Sequence, residues 1–145
     1  MTAPVKQTVT QGGRAKAYRP MPAAARRRAF ETGLAAYANG DFFLAHELLE
    51  PAWMGTRDLA ERELLQGLIK LAAAFVHAAR SNPKGFEKNL RGARDHLVQG
   101  MVAGTRLGVN VPLLVVAADE RLRRGVAVGA PSIPIPTLPQ RARSS

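Results

Sequence analysis

The 145-residue sequence contains no cysteine, a single tryptophan and few aromatic residues. Without cysteine, disulfide bonds, iron–sulfur clusters and thiolate zinc sites are excluded, which suits a reducing compartment and makes the cytoplasm the expected location. No apolar signal region opens the chain, and its longest apolar region is interrupted by Gln66, Lys70 and His77, so no membrane association is expected. A chain of this length is expected to form one domain with its own hydrophobic core.

Acidic residues are also scarce, and the formal net charge is +10. Residues 1–22 carry basic but no acidic residues, and residues 130–145 add two arginines. Such tails permit weak, salt-sensitive contact with polyanions, whereas the modest charge of the middle region argues against specific nucleic-acid binding. The sequence identifies no specific partner and leaves self-association open.

The central region has the periodicity of helices and no strand-like alternation. Five helices are predicted: about residues 23–38, 41–54 and 58–81, a fourth beginning at Asn82-Pro83, and a fifth from Asn110 to near Gly125. The third is the longest and most apolar, and small residues such as Gly67 and Ala74 would allow another helix to approach it closely. The fold class is therefore predicted to be all-α, a single compact bundle.

The flanks are predicted to lie outside this bundle and to be unfolded. Residues 1–22 show no periodicity, and residues 130–145 contain four prolines, which exclude a helix and favour an extended chain. The expected organisation is a flexible basic N-terminal tail (1–22), a helical bundle domain (23–129) and a Pro-rich C-terminal tail (130–145). Both tails are expected to be dispensable for stability.

The stretch GDFFLAHELLEPAW, residues 40–53, places polar side chains among aromatic and aliphatic residues. On a helical wheel His46 shares the apolar face with Trp53, and Glu50 lies one turn after His46, at i+4. A buried histidine needs partners, because an unpaired buried polar group costs about 1–3 kcal/mol. We therefore expect His46 and Glu50 to form a buried hydrogen-bonded pair, with Gln66 as the nearest candidate partner on the third helix.

Three functions are compatible with these residues. A structural polar network is favoured, which would make the protein a non-catalytic binding or structural module without a cofactor or metal. His46 and Glu50 also supply half of a metal site, as in a metal-assisted hydrolase or an acid–base enzyme, but the second histidine of a zinc protease and the Glu-x-x-His pairs of di-iron bundles are missing. A tetratricopeptide-like scaffold is the third, although the turn that a second repeat requires falls at Ala74, within a predicted helix.

The remaining polar residues favour surface positions. His96 lies off the apolar stripe of the fourth helix and is expected to be solvated. No glycine-rich phosphate loop follows a strand, and no serine has the surroundings of a nucleophile. The sequence therefore assigns no catalytic residue.

The polar residues of the second and third helices also carry a family resemblance. The run GDFFLAHELLEPAW, followed by LLQGLIKLAAAFVHAARSNPKG, resembles the small all-helical domain of unknown function 309. The pattern of that family has an aromatic pair, then His-Glu-x-x-Glu-x-x-Trp, then Leu-Gln-Gly-Leu-Ile-Gln and a small-residue helix ending in histidine. The matching positions are Gly40, Phe42, Phe43, His46, Glu47, Glu50 and Trp53, then Leu65, Gln66, Gly67, Leu68, Ile69 and His77.

Lys70 and Pro51 depart from this pattern, since they stand where glutamine and glutamate are common. The resemblance implies a compact bundle of about five helices and supplies no activity. It also suggests that several of the matched polar residues lie near one another. The candidates for a polar network or a pocket are His46, Glu47, Glu50, Trp53, Gln66 and His77.

Overall fold

The computed structural model describes residues 7–125 and 130–139. Within them the chain is mostly helical, with one small two-stranded sheet. None of the described helices is both long and apolar enough to cross a membrane. The elements are, in chain order, β1 (Thr8–Gln11), β2 (Arg14–Ala17), α1 (Ala23–Ala38), α2 (Phe42–Met54), α3 (Leu59–Ala79), α4 (Pro83–Gln99), a 3₁₀ turn (Met101–Ala103), α5 (Gly104–Leu107) and α6 (Val111–Arg124).

The helix starts follow capping residues that are visible in the sequence. Asp41, Asp58, Asn82 and Asn110 each precede a helix, and the side chain of each accepts a hydrogen bond from the backbone N–H three residues later. These caps fix the starts of α2, α3, α4 and α6. The predicted starts of the five longer helices, and the ends predicted for four of them, agree with the structure to within about two residues.

The predicted number of five helices is wrong, because the described residues contain a sixth α-helix, the four-residue α5. This helix follows the 3₁₀ turn directly and ends at Gly108, whose φ of 74° is left-handed. A single helical turn contains too few residues to show a 3.6-residue apolar pattern, so the periodicity of the sequence could not reveal it.

The centre of the bundle is α3, as predicted. Leu64 and Leu68 have no solvent exposure, and α3 packs against α2 on one side and α4 on the other. Gly67 permits the close approach of α4, because a Cβ atom at this position would lie 2.8 Å from Cγ of Leu97. The helix continues unbroken through Ala74, where a tetratricopeptide repeat would need a turn.

For its described residues, the prediction of an unfolded N-terminal segment is wrong. β1 and β2 pair antiparallel around Gly12 and Gly13, both of which have positive φ, as the commonest two-residue hairpin turn requires. Each strand has four residues, and only Gln11 among them is buried, so no alternation of apolar residues marks the hairpin. The Gly12-Gly13 pair was the one signal that could have predicted it.

The described part of the C-terminal segment contains no helix, as its prolines predict, but it packs on the bundle. Ile133 is 3% exposed, and its carbonyl oxygen accepts a hydrogen bond of 2.6 Å from the hydroxyl of Tyr37. Backbone hydrogen bonds also join the segment to Gly108 and Asn110. These contacts and the hairpin argue against dispensable tails. Residues 1–6, 126–129 and 140–145 lie outside the described residues, and with them the basic residues Lys6, Arg141 and Arg143.

Candidate functional site

Most of the predicted polar residues converge on one groove between α2, α3 and α4. His46, Glu50 and Trp53 project from one face of α2 because their spacing is i, i+4, i+7. Gln66 and Lys70 come from α3 with the same i, i+4 relation. The groove has a volume of about 210 Å³ and is lined by His46, Glu50, Trp53, Gln66, Ile69, Lys70, Ala73 and Asn89.

The predicted buried hydrogen bond between His46 and Glu50 is not present. The two side chains are 31% and 41% exposed, and Nδ1 of His46 lies 3.9 Å from Oε2 of Glu50. The same nitrogen lies 3.5 Å from Oε1 of Glu47. Nδ1 is itself buried and has no hydrogen-bond partner among the residues that the structure describes. The helical wheel correctly predicted that His46 points inward, but the residue lies at the rim of the bundle and not in its core.

Together, His46, Glu47 and Glu50 could hold a metal ion. One potential ligand atom of each lies within 4.8 Å of the other two. The N···O separations of 3.5 and 3.9 Å are too long for good hydrogen bonds. Two ligands that each lie about 2.0–2.2 Å from one ion are separated by roughly 3–4 Å, depending on the angle between them. These distances therefore fit coordination of one metal ion by the histidine and both carboxylates better than direct hydrogen bonds between them.

His77 does not line the groove. It lies in the last turn of α3, where its Nδ1 is 3.1 Å from Nδ2 of Asn82, the residue that caps α4. Of the six candidate residues, the structure thus brings four to the groove and places Glu47 against His46, while His77 belongs to the turn between α3 and α4.

The side chains of Trp53 and Gln66 are held by Gln11, which comes from the hairpin. The amide oxygen of Gln11 accepts hydrogen bonds from Nε1 of Trp53 and Nε of Arg62, both at 3.2 Å. Its amide nitrogen donates to Oε1 of Glu63 at 3.0 Å and to Oε1 of Gln66 at 2.5 Å. A carboxamide offers two N–H groups and two oxygen lone pairs, so Gln11, which is 5% exposed, is fully hydrogen-bonded.

Gln11 and the side chains that it joins form a polar network, the Gln11 network. Arg62 on α3 is the buried cation of the Gln11 network and has no solvent exposure. Its guanidinium also donates to the carbonyl oxygens of Trp53 and Thr56 at 3.0 Å and of Ala17 at 3.4 Å, and it lies 4.7 Å from the centroid of the Trp53 ring. Burial lowers the pKa of Arg62, and the charge of Glu63 opposes this shift. A guanidinium is not deprotonated in proteins, so the side chain stays charged and needs all of these acceptors.

Glu63 connects the network to α4. Its Oε2 accepts a hydrogen bond of 2.5 Å from Nδ1 of His96, and its Oε1 accepts the bond from Gln11. The carboxylate therefore fixes Nδ1 as the protonated ring nitrogen. The prediction that His96 is solvated is wrong, because its side chain is 27% exposed and paired with Glu63. A second cleft, with a volume of about 510 Å³, is lined in part by Gln11, Glu63 and His96.

Four residues of this network, Gln11, Arg62, Glu63 and His96, were not among the predicted site residues. Arg62 precedes two buried apolar residues, Leu65 and Ile69, at i+3 and i+7. That spacing places Arg62 on a buried face of α3 and could have identified it. Gln11 has no comparable local signal, since its burial depends on contacts with residues more than forty positions away.

Comparison with known proteins agrees with the sequence motifs. No curated protein and no solved structure matches the chain. The family model of the domain of unknown function DUF309 matches residues 30–94, which include α2, α3 and most of α4. Every residue that lines the groove lies within this range, whereas Gln11 and His96 lie outside it. Residues 30–94 of the chain are therefore similar to the domain of unknown function DUF309, the family that the motifs resemble.

Proposed function

We propose that the protein is a non-catalytic binding module that holds a divalent transition-metal ion through His46, Glu47 and Glu50. The observation that carries the proposal is the buried Nδ1 of His46, which lies beside two carboxylates without a hydrogen bond among the described residues. An unpaired buried nitrogen costs about 1–3 kcal/mol, and coordination of a cation would remove that penalty.

The ligand set favours particular ions. An imidazole with two carboxylates suits zinc, cobalt, nickel or manganese, whereas calcium and magnesium prefer oxygen ligands alone. Three protein ligands leave further coordination positions open. Gln66, Lys70 and Asn89 line the adjoining groove and could bind a small anion at those open positions.

A purely structural role for His46 has less support, because the fold has another polar network. Gln11 and Arg62 join the hairpin, α2 and α3 through one buried and two partly buried hydrogen bonds. The side chains of His46 and Glu50 are partly exposed and make no comparable contact between helices. Their chemistry is therefore available for a ligand.

After metal removal, the protein should bind about one Zn²⁺ or Co²⁺ per chain, measured by isothermal titration calorimetry. His46→Ala should weaken this binding about 100-fold or more, because it removes the only nitrogen ligand of three. The unfolding free energy of the metal-free variant should change by less than about 1 kcal/mol, because the lost contacts of a partly exposed ring are offset by relief of its unpaired nitrogen.

His77→Ala is the matched control, because it removes a histidine that lies near Asn82 and outside the groove. It should bind the metal as the wild type does. Equal losses in the two variants would indicate non-specific histidine binding. A wild-type protein that binds neither ion would contradict the proposed function.

A metal-assisted hydrolase is the second candidate, favoured by the groove of about 210 Å³ beside the three ligands. A bound ion could lower the pKa of a coordinated water and so generate a nucleophile. The zinc-loaded protein would then hydrolyse p-nitrophenyl acetate faster than zinc-loaded His46→Ala. Equal rates would favour the binding module.

A cytoplasmic location and weak contact with polyanions are further proposals, supported by composition alone. The contact should disappear at about 200 mM salt, because it depends on the release of counterions.

A further inference from the structure

We propose that Trp53, Arg62, Glu63 and Gln66 form a binding site for a primary carboxamide, and that Gln11 is a displaceable ligand supplied by the chain itself. A carboxamide in solution would bind the same four side chains and release the tip of the hairpin. Trp53 and Gln66 also line the groove beside His46 and Glu50, but none of the four side chains is a proposed metal ligand, so the inference does not depend on the proposed function.

The four side chains match both ends of a carboxamide. Two N–H donors, from Trp53 and Arg62, point at the amide oxygen, and two oxygen acceptors, from Glu63 and Gln66, face the amide nitrogen. A carboxylate would place an oxygen against those two acceptors, and an ammonium group would face the guanidinium. An alcohol could satisfy only part of the set. The arrangement therefore selects an amide by attraction and rejects its charged analogues by repulsion.

The way the hairpin docks supports displacement. A two-stranded hairpin is marginally stable alone, and of the residues in β1 and β2 only Gln11 is buried. Apart from the bonds of Gln11, the strands make one long hydrogen bond to the rest of the described structure, from Arg62 to the carbonyl oxygen of Ala17 at 3.4 Å. The chain that follows the hairpin is attached to α2 separately, because the N–H of Arg19 donates to the carbonyl oxygen of Met54 at 2.9 Å. The tip thus binds through a single polar side chain, whose hydrogen bonds an amide in solution can reproduce.

Solvent can reach the site from two sides. Trp53 and Gln66 line the groove of about 210 Å³, and Gln11 and Glu63 line the cleft of about 510 Å³. Gln11 therefore separates the two openings. If the Gln11 side chain left the site, the side chains of Trp53, Arg62, Glu63 and Gln66 would lie between the groove and the cleft. They would then be accessible to a ligand of the size of a glutamine side chain.

The test uses Trp53, the only tryptophan of the chain, as a fluorescence reporter. Propionamide, which carries the functional group of glutamine, should change the emission of Gln11→Ala saturably. Half-saturation of the wild type should need at least about 10-fold more propionamide, because Gln11 competes at a high effective concentration. Propionate and propanol should give no saturable change in either protein. Gln99→Ala, which removes an exposed glutamine from the same cleft, should respond like the wild type.

The source of the amide can be distinguished with N-acetylglutamine methylamide. If this compound binds more tightly than propionamide, the natural ligand is a glutamine residue of a peptide. If it binds more weakly, the natural ligand is a small amide. Both results support carboxamide recognition. Equal, unsaturable responses of Gln11→Ala and the wild type, or an equal response to propionate, would overturn the proposal.

If Gln11→Ala does not fold, the wild type still decides the question. In a ¹H–¹⁵N correlation spectrum, propionamide should move the side-chain NH₂ signals of Gln11 towards those of exposed glutamines, and propionate should not. Signals of Gln11 that stay unchanged at concentrations where the protein remains folded would overturn the proposal.

Discussion

Replacing Arg62 with methionine should destabilise the protein by about 3–5 kcal/mol, because it leaves several buried or partly buried acceptors without a donor, and each unpaired buried group costs about 1–3 kcal/mol. Arg62 has no solvent exposure. Methionine fills much of the same volume but donates no hydrogen bond. The carbonyl oxygens of Trp53 and Thr56 would lose their donor, and Glu63 would lose the buried cation beside it. Urea unfolding followed by far-ultraviolet circular dichroism measures the loss.

Arg91→Met is the matched control on the surface. Arg91 pairs with Glu87 at i+4 on α4, and both side chains are more than half exposed. Such exposed pairs contribute about 0.3–0.5 kcal/mol. If Arg62→Met cost as little as Arg91→Met, the buried network would contribute no more to stability than a surface ion pair.

The coupling between Arg62 and Gln11 can be measured with a double-mutant cycle. Gln11→Met and Arg62→Met together should cost less than the sum of the two single changes, because each single change leaves the other polar group unpaired. If the losses in unfolding free energy were strictly additive, the two side chains would not be energetically coupled.

The longer helices could be predicted because their signals are local. Asp41, Asp58, Asn82 and Asn110 mark helix starts through bonds that reach only three residues along the chain. The apolar stripe of α3 likewise reports burial within the helix that carries it. Such signals need no knowledge of the neighbouring elements.

The site could be predicted only in part, because a helical wheel gives the direction of a side chain and not its surroundings. The wheel brought His46, Glu50 and Trp53 to one face of α2, and the structure places them in one groove. It could not show that the groove is open at its rim, which leaves His46 partly exposed and unpaired. It also could not show that the buried partner of Trp53 is Gln11, in the segment before the helices.

Gly100→Ala is expected to be the most damaging small substitution at the α3–α4 interface. A Cβ at Gly100 would lie 2.7 Å from the carbonyl oxygen of Ala60 and 2.8 Å from Cα of Leu64, both in the backbone of α3. Backbone atoms cannot rotate away as a side chain can. Gly100 has φ −96° and ψ 11°, which alanine adopts readily, so the expected penalty is steric and not conformational. We expect a loss of about 2–3 kcal/mol or more.

Gly92→Ala, within α4, is the matched control. The three atoms nearest to its Cβ would all belong to the flexible side chain of Lys70, with Cδ at 3.1 Å. Because alanine is the better helix former, this variant should be stabilised by up to about 1 kcal/mol. Equal effects of the two substitutions on the urea midpoint would contradict the close contact at Gly100.

The Gly100→Ala variant should also disturb the polar network. His96 lies in the last turn of α4, one turn before Gly100, and bonds to Glu63 on α3. Relief of the new contact requires the end of α4 to move away from α3, which lengthens that bond. Glu63 would then be a less well-placed acceptor for Gln11, so the emission of Trp53 in the folded variant should shift towards that of Gln11→Ala. A destabilised Gly100→Ala protein with unchanged Trp53 emission would mean that α4 relaxes without affecting the network.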